Sequence, residues 1–281
     1  MSINLNKVKT RKHSSNRFIE LDILRGIAIG LMIFLHLLWD LDYFGFLPLN
    51  HQIYQFQYIV PITFFLLVGI CLVVGKNKNS NKTPLEQKNY NRHLILRGIK
   101  IFGFGIAITI VTFIFMPDRP IIFGVLHFIG LSIILCIPFL KLKYYNILFA
   151  LLIIFVGIII VQYPIENPTI FHLILGFHQS NIWSYTIDYF PLIPWFGVTL
   201  LGIVLGDVLY KNNKRKFKLP DLSKYRSFTA LSWIGKHSLV IYLLHQPVIS
   251  VVLFIFVLLW FLWWKNILVC SICYVFYFNS R

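Results

Sequence analysis

Long apolar runs dominate this sequence and decide what the chain can become. Stretches of about 17–25 mostly apolar residues, the length a helix needs to cross a hydrocarbon core, recur from residue 23 onward. They lie near 23–41, 56–75, 95–116, 121–140, 146–162, 189–210, 229–246 and 248–264. The 281 residues are 58% hydrophobic and 13% charged, about half the charge of an ordinary soluble domain. Too few polar groups exist to cover a water-facing surface, so lipid is the expected solvent. The fold class expected is all-α: a polytopic integral membrane helix bundle of about eight transmembrane helices.

Orientation follows from where the cations sit. The formal charge is +16, and the cations are clustered. Residues 1–17 form a basic tail, and 76–92, 141–143 and 211–226 are rich in Lys and Arg. The segments 42–55 and 163–188 carry none, and neither does a turn at His245–Gln246–Pro247 between the last two spans. Lys265 follows on the inner side. Positive residues are retained on the cytoplasmic side of membranes, so a cytoplasmic N-terminus in the cell membrane is expected. Membrane lipid is then the partner for the basic clusters, and no motif for nucleic acid is present. The N-terminus does not read as a cleavable leader, since no small-residue exit follows its first apolar run. The expected division is a tail over 1–17, a transmembrane domain over 18–264 and an apolar C-terminal tail over 265–281.

Cys71, Cys136, Cys270 and Cys273 all fall inside apolar runs. The last two form a CxxC without a second ligand pair, which reads as helix packing, and no metal is expected. Gly26/Gly30 and Gly202/Gly206 have the spacing that lets membrane helices approach closely. The aromatic-rich segment 163–188, with Glu166, His172, His178 and Asp188, reads equally well as an interfacial flap or as a plain loop.

The first span carries an unusual polar stripe. Asp22, Arg25, His36 and Asp40 all lie in or beside it, and ionisable groups in a span are costly enough to mark function. Arg25 and His36 are eleven residues apart, three helical turns plus about 20°, so they share one face about 16 Å apart along the axis. Asp22 can touch Arg25, and Asp40 can touch His36, at i,i+3 and i,i+4 spacing. Arg97 and Lys100 begin the third span, His127 lies about 9 Å into the fourth, and His245 ends the seventh. The three imidazoles fall at similar depth, and His127 is a further catalytic candidate that could share one cavity with His36. A cationic inner mouth with an imidazole farther out suits a long anionic donor with a reactive tip, which is the shape of acyl-CoA. Arg25, Arg97 and Lys100 would hold the donor. His36 would take a proton from the acceptor, with Asp40 supporting the ring. A transporter or lipid translocator using the same polar cavity is the alternative.

The segment from Arg17 to Gly45 resembles the opening of the heparan-α-glucosaminide N-acetyltransferase catalytic family. LRGIKIFGFGIAITIVTFIF, FGVLHFIGLSIIL, PLIPWFGVTLLGIVLG and LSWIGKHSLVIYLLHQPV resemble later stretches of its short prokaryotic members. Arg, ten residues and His also resembles the wider acyltransferase-3 group. The resemblance covers roughly residues 17–250. It implies acetyl or other acyl transfer from cytoplasmic acyl-CoA to a hydroxyl or amine at the outer face, on an extracytoplasmic glycan or lipid-linked sugar. By the same likeness Arg25 orients the donor and His36 acts in catalysis. The family's lysosomal members carry Asn at the position matching His36, with the catalytic His in the outer segment that follows. His51 lies in the comparable region here, so the resemblance leaves His36 and His51 both as candidates.

Overall fold

A computed structural model describes residues 17–48, 50, 53–79, 83–211 and 214–278, with side chains described for 17–48, 50, 56–79, 83–211 and 214–259. The chain is a helical bundle. Its elements are α1 (Ile19–Tyr43), α2 (Ile59–Asn79), α3 (Pro84–Phe115), α4 (Val125–Phe139), α5 (Asn146–Ile160), a short α6 (Ile170–Leu175), α7 (Leu192–Leu209), α8 (Arg226–Lys236) and α9 (Ser238–Phe278). A two-residue hairpin, β1 (Tyr210–Lys211) with β2 (Lys214–Arg215), follows α7. Six helices among the described residues are long and apolar enough to cross a membrane, and α4 is a shorter apolar one.

Lipid tails are as apolar as leucine, so helices associate in a membrane by close packing rather than by escaping water. The α2–α7 pair shows how. A Cβ on Gly69 would lie 2.2 Å from the Thr199 carbonyl oxygen, and one on Gly202 would lie 2.3 Å from that of Leu66. Any larger residue at either position would drive the two backbones apart. In the first span only Gly26 of the expected pair works this way. It meets the Leu231 backbone of α8, whereas Gly30 faces open space. Between α2 and α4, Phe65 and Phe128 meet with ring centroids 4.1 Å apart in the core.

The connections that are basic in the sequence gather at one end. There Lys76 Nζ donates to the Leu140 carbonyl at 2.5 Å, and Asn77 donates to the Tyr210 carbonyl at 3.1 Å. Glu20 receives the Tyr210 hydroxyl at 3.3 Å and lies 3.7 Å from Arg215. These contacts bring together the start of α1 and the ends of α2, α4 and α7. We call this the basic end.

The last two expected spans require correction. The chain does not turn at His245–Gln246–Pro247. It breaks at His237, whose N–H closes α8 on the carbonyls of Trp233 (3.2 Å) and Ile234 (3.1 Å). α9 then runs unbroken from Ser238 through Pro247 to Phe278. A proline inside a membrane helix costs one backbone bond and is accommodated by its neighbours. α8 packs on α1, with Gly235 against the Asp22 carbonyl. α9 leaves the basic end beside α1, so Lys265 lies about 40 Å along α9 from Ser238 rather than at the basic end. Residues 265–278 continue that helix.

At the opposite end, the connection between α5 and α7 is folded down as a cap. The Ile165 N–H bonds to the His178 carbonyl at 3.1 Å, and the Tyr189 hydroxyl bonds to the Leu173 carbonyl at 2.7 Å. Arg119 donates to the Trp183 carbonyl. Phe123 and Tyr189 form a parallel bridge that ties the cap to the chain just before α4.

Candidate functional site

On α1, the expected Asp22–Arg25 contact is present. Arg25 Nη1 lies 2.8 Å from Asp22 Oδ1, and Asp22 is 2% exposed. The second Arg25 nitrogen, Nη2, donates to the Cys71 sulfur of α2 at 2.7 Å. A half-buried guanidinium needs partners for its fork of donors, and one helix alone cannot supply them. The contact thus fixes where α1 meets α2.

Arg25 lines a cavity of about 330 Å³ walled by α1, α2, α3, α4 and α9. Arg97 and Lys100, one turn apart on α3, line it too. None of the lining residues is acidic. Arg97 and Lys100 take part in no ion pair among the described residues. The three cations singled out in the sequence therefore share one chamber, and two of them lack an acidic partner. The rest of the lining is largely apolar, including Phe64, Leu126 and Ile129. Such a chamber suits a ligand with anionic groups at one end and an apolar arm at the other.

Tyr242 of α9 also lines the cavity. Its ring centroid is 5.5 Å from that of His245, one turn farther along the same helix. His245 meets His36 of α1 edge to face, with centroids 4.8 Å apart and planes at 89°. The His36 ring also contacts Trp39 at 5.0 Å. Each imidazole is held by its own helix. His36 Nδ1 lies 2.9 Å from the Met32 carbonyl oxygen, and His245 Nδ1 lies 2.6 Å from that of Tyr242. A carbonyl oxygen only accepts, so Nδ1 carries the proton and Nε2 keeps its lone pair in both rings.

Asp40 does not hold His36 as expected. Its two oxygens receive Gln246 Nε2 at 3.2 and 3.0 Å, a bond from α1 to α9. The His36 side chain leans toward the start of its own helix, as helical side chains do. That puts Nδ1 on the carbonyl one turn back instead of on the carboxylate one turn ahead.

His127 sits elsewhere. It is 4% exposed, between the rings of Phe102 and Phe123. Its Nδ1 accepts the Gly124 N–H at 3.3 Å, and Nε2 faces the Thr109 hydroxyl at 3.3 Å. The contacts of His127 and those of His36 have no residue in common. His51 lies outside the described residues.

Sequence spacing passed over the contributions of α9 and the cap to this site. Within one helix, spacing shows which residues share a face. It does not show that α9 lies beside α1, so depth alone sets His245 level with His36, while Tyr242 and the Asp40–Gln246 bond leave no signal in the spacing. Asp188, in the cap, accepts the Val125 N–H at the start of α4 at 3.1 Å. Its Oδ2 lies 2.2 Å from where a Cβ on Gly124 would stand. Burial pushes the Asp188 carboxyl up to about 6, partly offset by the Val125 bond. An acidic residue placed one to three positions before an apolar helix start in sequence would have been read as a cap. This one comes from more than sixty residues away.

No curated protein matches the chain, and no solved structure does. A family model described as heparan-alpha-glucosaminide N-acetyltransferase, catalytic, matches residues 17–247. That range includes Arg25, His36, Asp40, Arg97, Lys100, His127, Asp188, Tyr242, His245 and Gln246. The chain belongs to the heparan-alpha-glucosaminide N-acetyltransferase catalytic family.

Proposed function

We propose that this membrane acetyltransferase-like protein takes an acyl group, acetyl in the first instance, from acyl-CoA at the basic end. It passes that group to a hydroxyl or amine, on a glycan or lipid-linked sugar, arriving from the opposite face. The basic end is the cytoplasmic one, because connections rich in Lys and Arg are retained there. One observation carries the donor assignment: Arg25, Arg97 and Lys100 line a single cavity with no acidic lining residue. The phosphates of coenzyme A bind to these cations, and the apolar wall accepts the pantetheine arm.

In the reaction, the acceptor oxygen or nitrogen attacks the thioester carbonyl carbon. The carbon–sulfur bond breaks and coenzyme A leaves as the thiolate. His36 Nε2 takes the acceptor proton as general base, and the thiolate recovers a proton as it departs. The Nδ1 bond to Met32 fixes the tautomer and leaves the lone pair on Nε2. Tyr242, which lies between the cavity and the imidazoles, marks where the acyl tip must pass.

The test is donor binding by the purified protein. Arg97→Gln and Lys100→Gln each remove one charge-assisted contact. Each should weaken coenzyme A binding about tenfold, measured calorimetrically as Kd. Added acetyl-CoA should be consumed by membrane vesicles exposing the basic end and not by vesicles of the opposite orientation. Unchanged Kd in both variants would remove the donor site from this cavity.

A further inference from the structure

His245 is not needed by the mechanism above, yet the structure places it against the proposed base. Its Nδ1 is tied to the Tyr242 carbonyl. Its Nε2 is buried and has no hydrogen-bond partner. Buried polar atoms are normally paired, and an exception calls for an explanation. Two neighbouring atoms of the same cluster, Trp39 Nε1 and Gln246 Oε1, are also buried and unpartnered. The carboxylate that would ordinarily support an imidazolium, Asp40, is occupied by Gln246.

We propose that His245 is the positioning partner of His36, and that its neutral ring stabilises the proton His36 takes from the acceptor. This inference rests on the assignment of His36 as base. Nδ1 of each ring is tied to its own helix, so neither Nε2 carries a proton at rest. When the acceptor bonds to the acyl carbon, its proton moves to His36 Nε2. The edge-to-face arrangement then sets a positively charged ring against a neutral π-system, which is attractive. Two protonated rings at 4.8 Å would repel, so the pair takes up one proton and not two. That proton returns to the coenzyme A thiolate, and the reaction balances as acyl-CoA plus acceptor giving acyl-acceptor plus coenzyme A. The titratable groups facing the pair are Asp40 from α1 and Tyr242 from α9. Asp188 of the cap acts on Tyr242.

Hydroxylamine serves as the acceptor probe, with acetohydroxamate formed from acetyl-CoA measured above the uncatalysed rate. His245→Gln and His245→Asn should each lower kcat at least tenfold and leave KM for acetyl-CoA within about twofold. Both should also change the pH dependence of kcat between pH 5 and 8. Coenzyme A binding like that of wild type establishes that each variant is folded. A folded His245→Gln with the kcat and pH profile of wild type overturns the proposal. Two other results, wild-type activity in His36→Ala or no hydroxamate from the wild-type protein, overturn the underlying assignment of His36 instead. If only one of the two His245 variants binds coenzyme A, that variant alone decides between the two outcomes.

Discussion

Two regions of this bundle enclose histidine between helices, and they treat the ring in opposite ways. In the α3–α4 seam, His127 spends both nitrogens: Nδ1 accepts from Gly124, and Nε2–H is left to donate to Thr109. Between α1 and α9, His36 and His245 each spend Nδ1–H on a carbonyl of their own helix. The tautomers are therefore opposite, and only the second pair keeps lone pairs at Nε2. A ring with no free lone pair is a structural bracket. A ring with one can accept a proton, as the mechanism proposed for His36 requires. His127 is buried and the other two rings are half-buried, but the clearer difference is the partner of each nitrogen.

The sharpest way to break this contrast is to remove each ring in turn. His36→Ala should lower acyl transfer by about 10²–10⁴-fold, the range for losing a general base, with coenzyme A binding retained. A residual rate near wild type would erase the distinction. His127→Ala should do the reverse. It removes an aromatic-sized ring and two hydrogen bonds from a packed seam, which costs about 3 kcal/mol of stability. The loss is read as a lower melting temperature in detergent, with kcat per folded molecule close to wild type. A large fall in kcat without destabilisation would move His127 into the site.

A smaller effect sharpens the picture of the seam. Asp188 braces α4 from the cap, and its carboxyl is raised from 3.8 to about 6. The folded state therefore holds this proton more tightly than the unfolded chain does. Stability should fall as pH rises from about 4 to about 6, by at most about 1.4 kcal/mol per pH unit, and level off above that. Asp188→Asn keeps an oxygen for the Val125 N–H and should flatten the slope. An identical slope in the variant would assign the pH dependence to other groups.

Much of this was legible in the sequence, for definable reasons. Apolar run length and the cation clusters report on single segments, so the first six apolar runs match helices and the basic connections gather at one end, whereas the last two runs are divided differently. The Asp22–Arg25 contact could be read too, because it lies within one turn of one helix. Grouping Arg97 and Lys100 with Arg25 as donor contacts anticipated their shared cavity. Contacts between distant segments were less accessible. Asp40 pairs with Gln246, 206 positions away, because α9 runs beside α1. That neighbour was hidden while His245–Gln246–Pro247 was read as a turn. The break at His237 had a signal of its own, the polar run Lys236–His237–Ser238 just after Gly235.

The meeting of Gly124 with Asp188 has a mechanical consequence. The loop's carboxylate fills the space a side chain would take, so the cap and the first turn of α4 fit like a key in a lock cut for that key alone. Val125, whose N–H grips that carboxylate, is also part of the wall of the Arg25–Arg97–Lys100 cavity. Lifting the cap thus undoes the Asp188 grip and the Phe123–Tyr189 bridge together, and it loosens the wall at the same moment. The position of the cap and the shape of the chamber are geared to one latch.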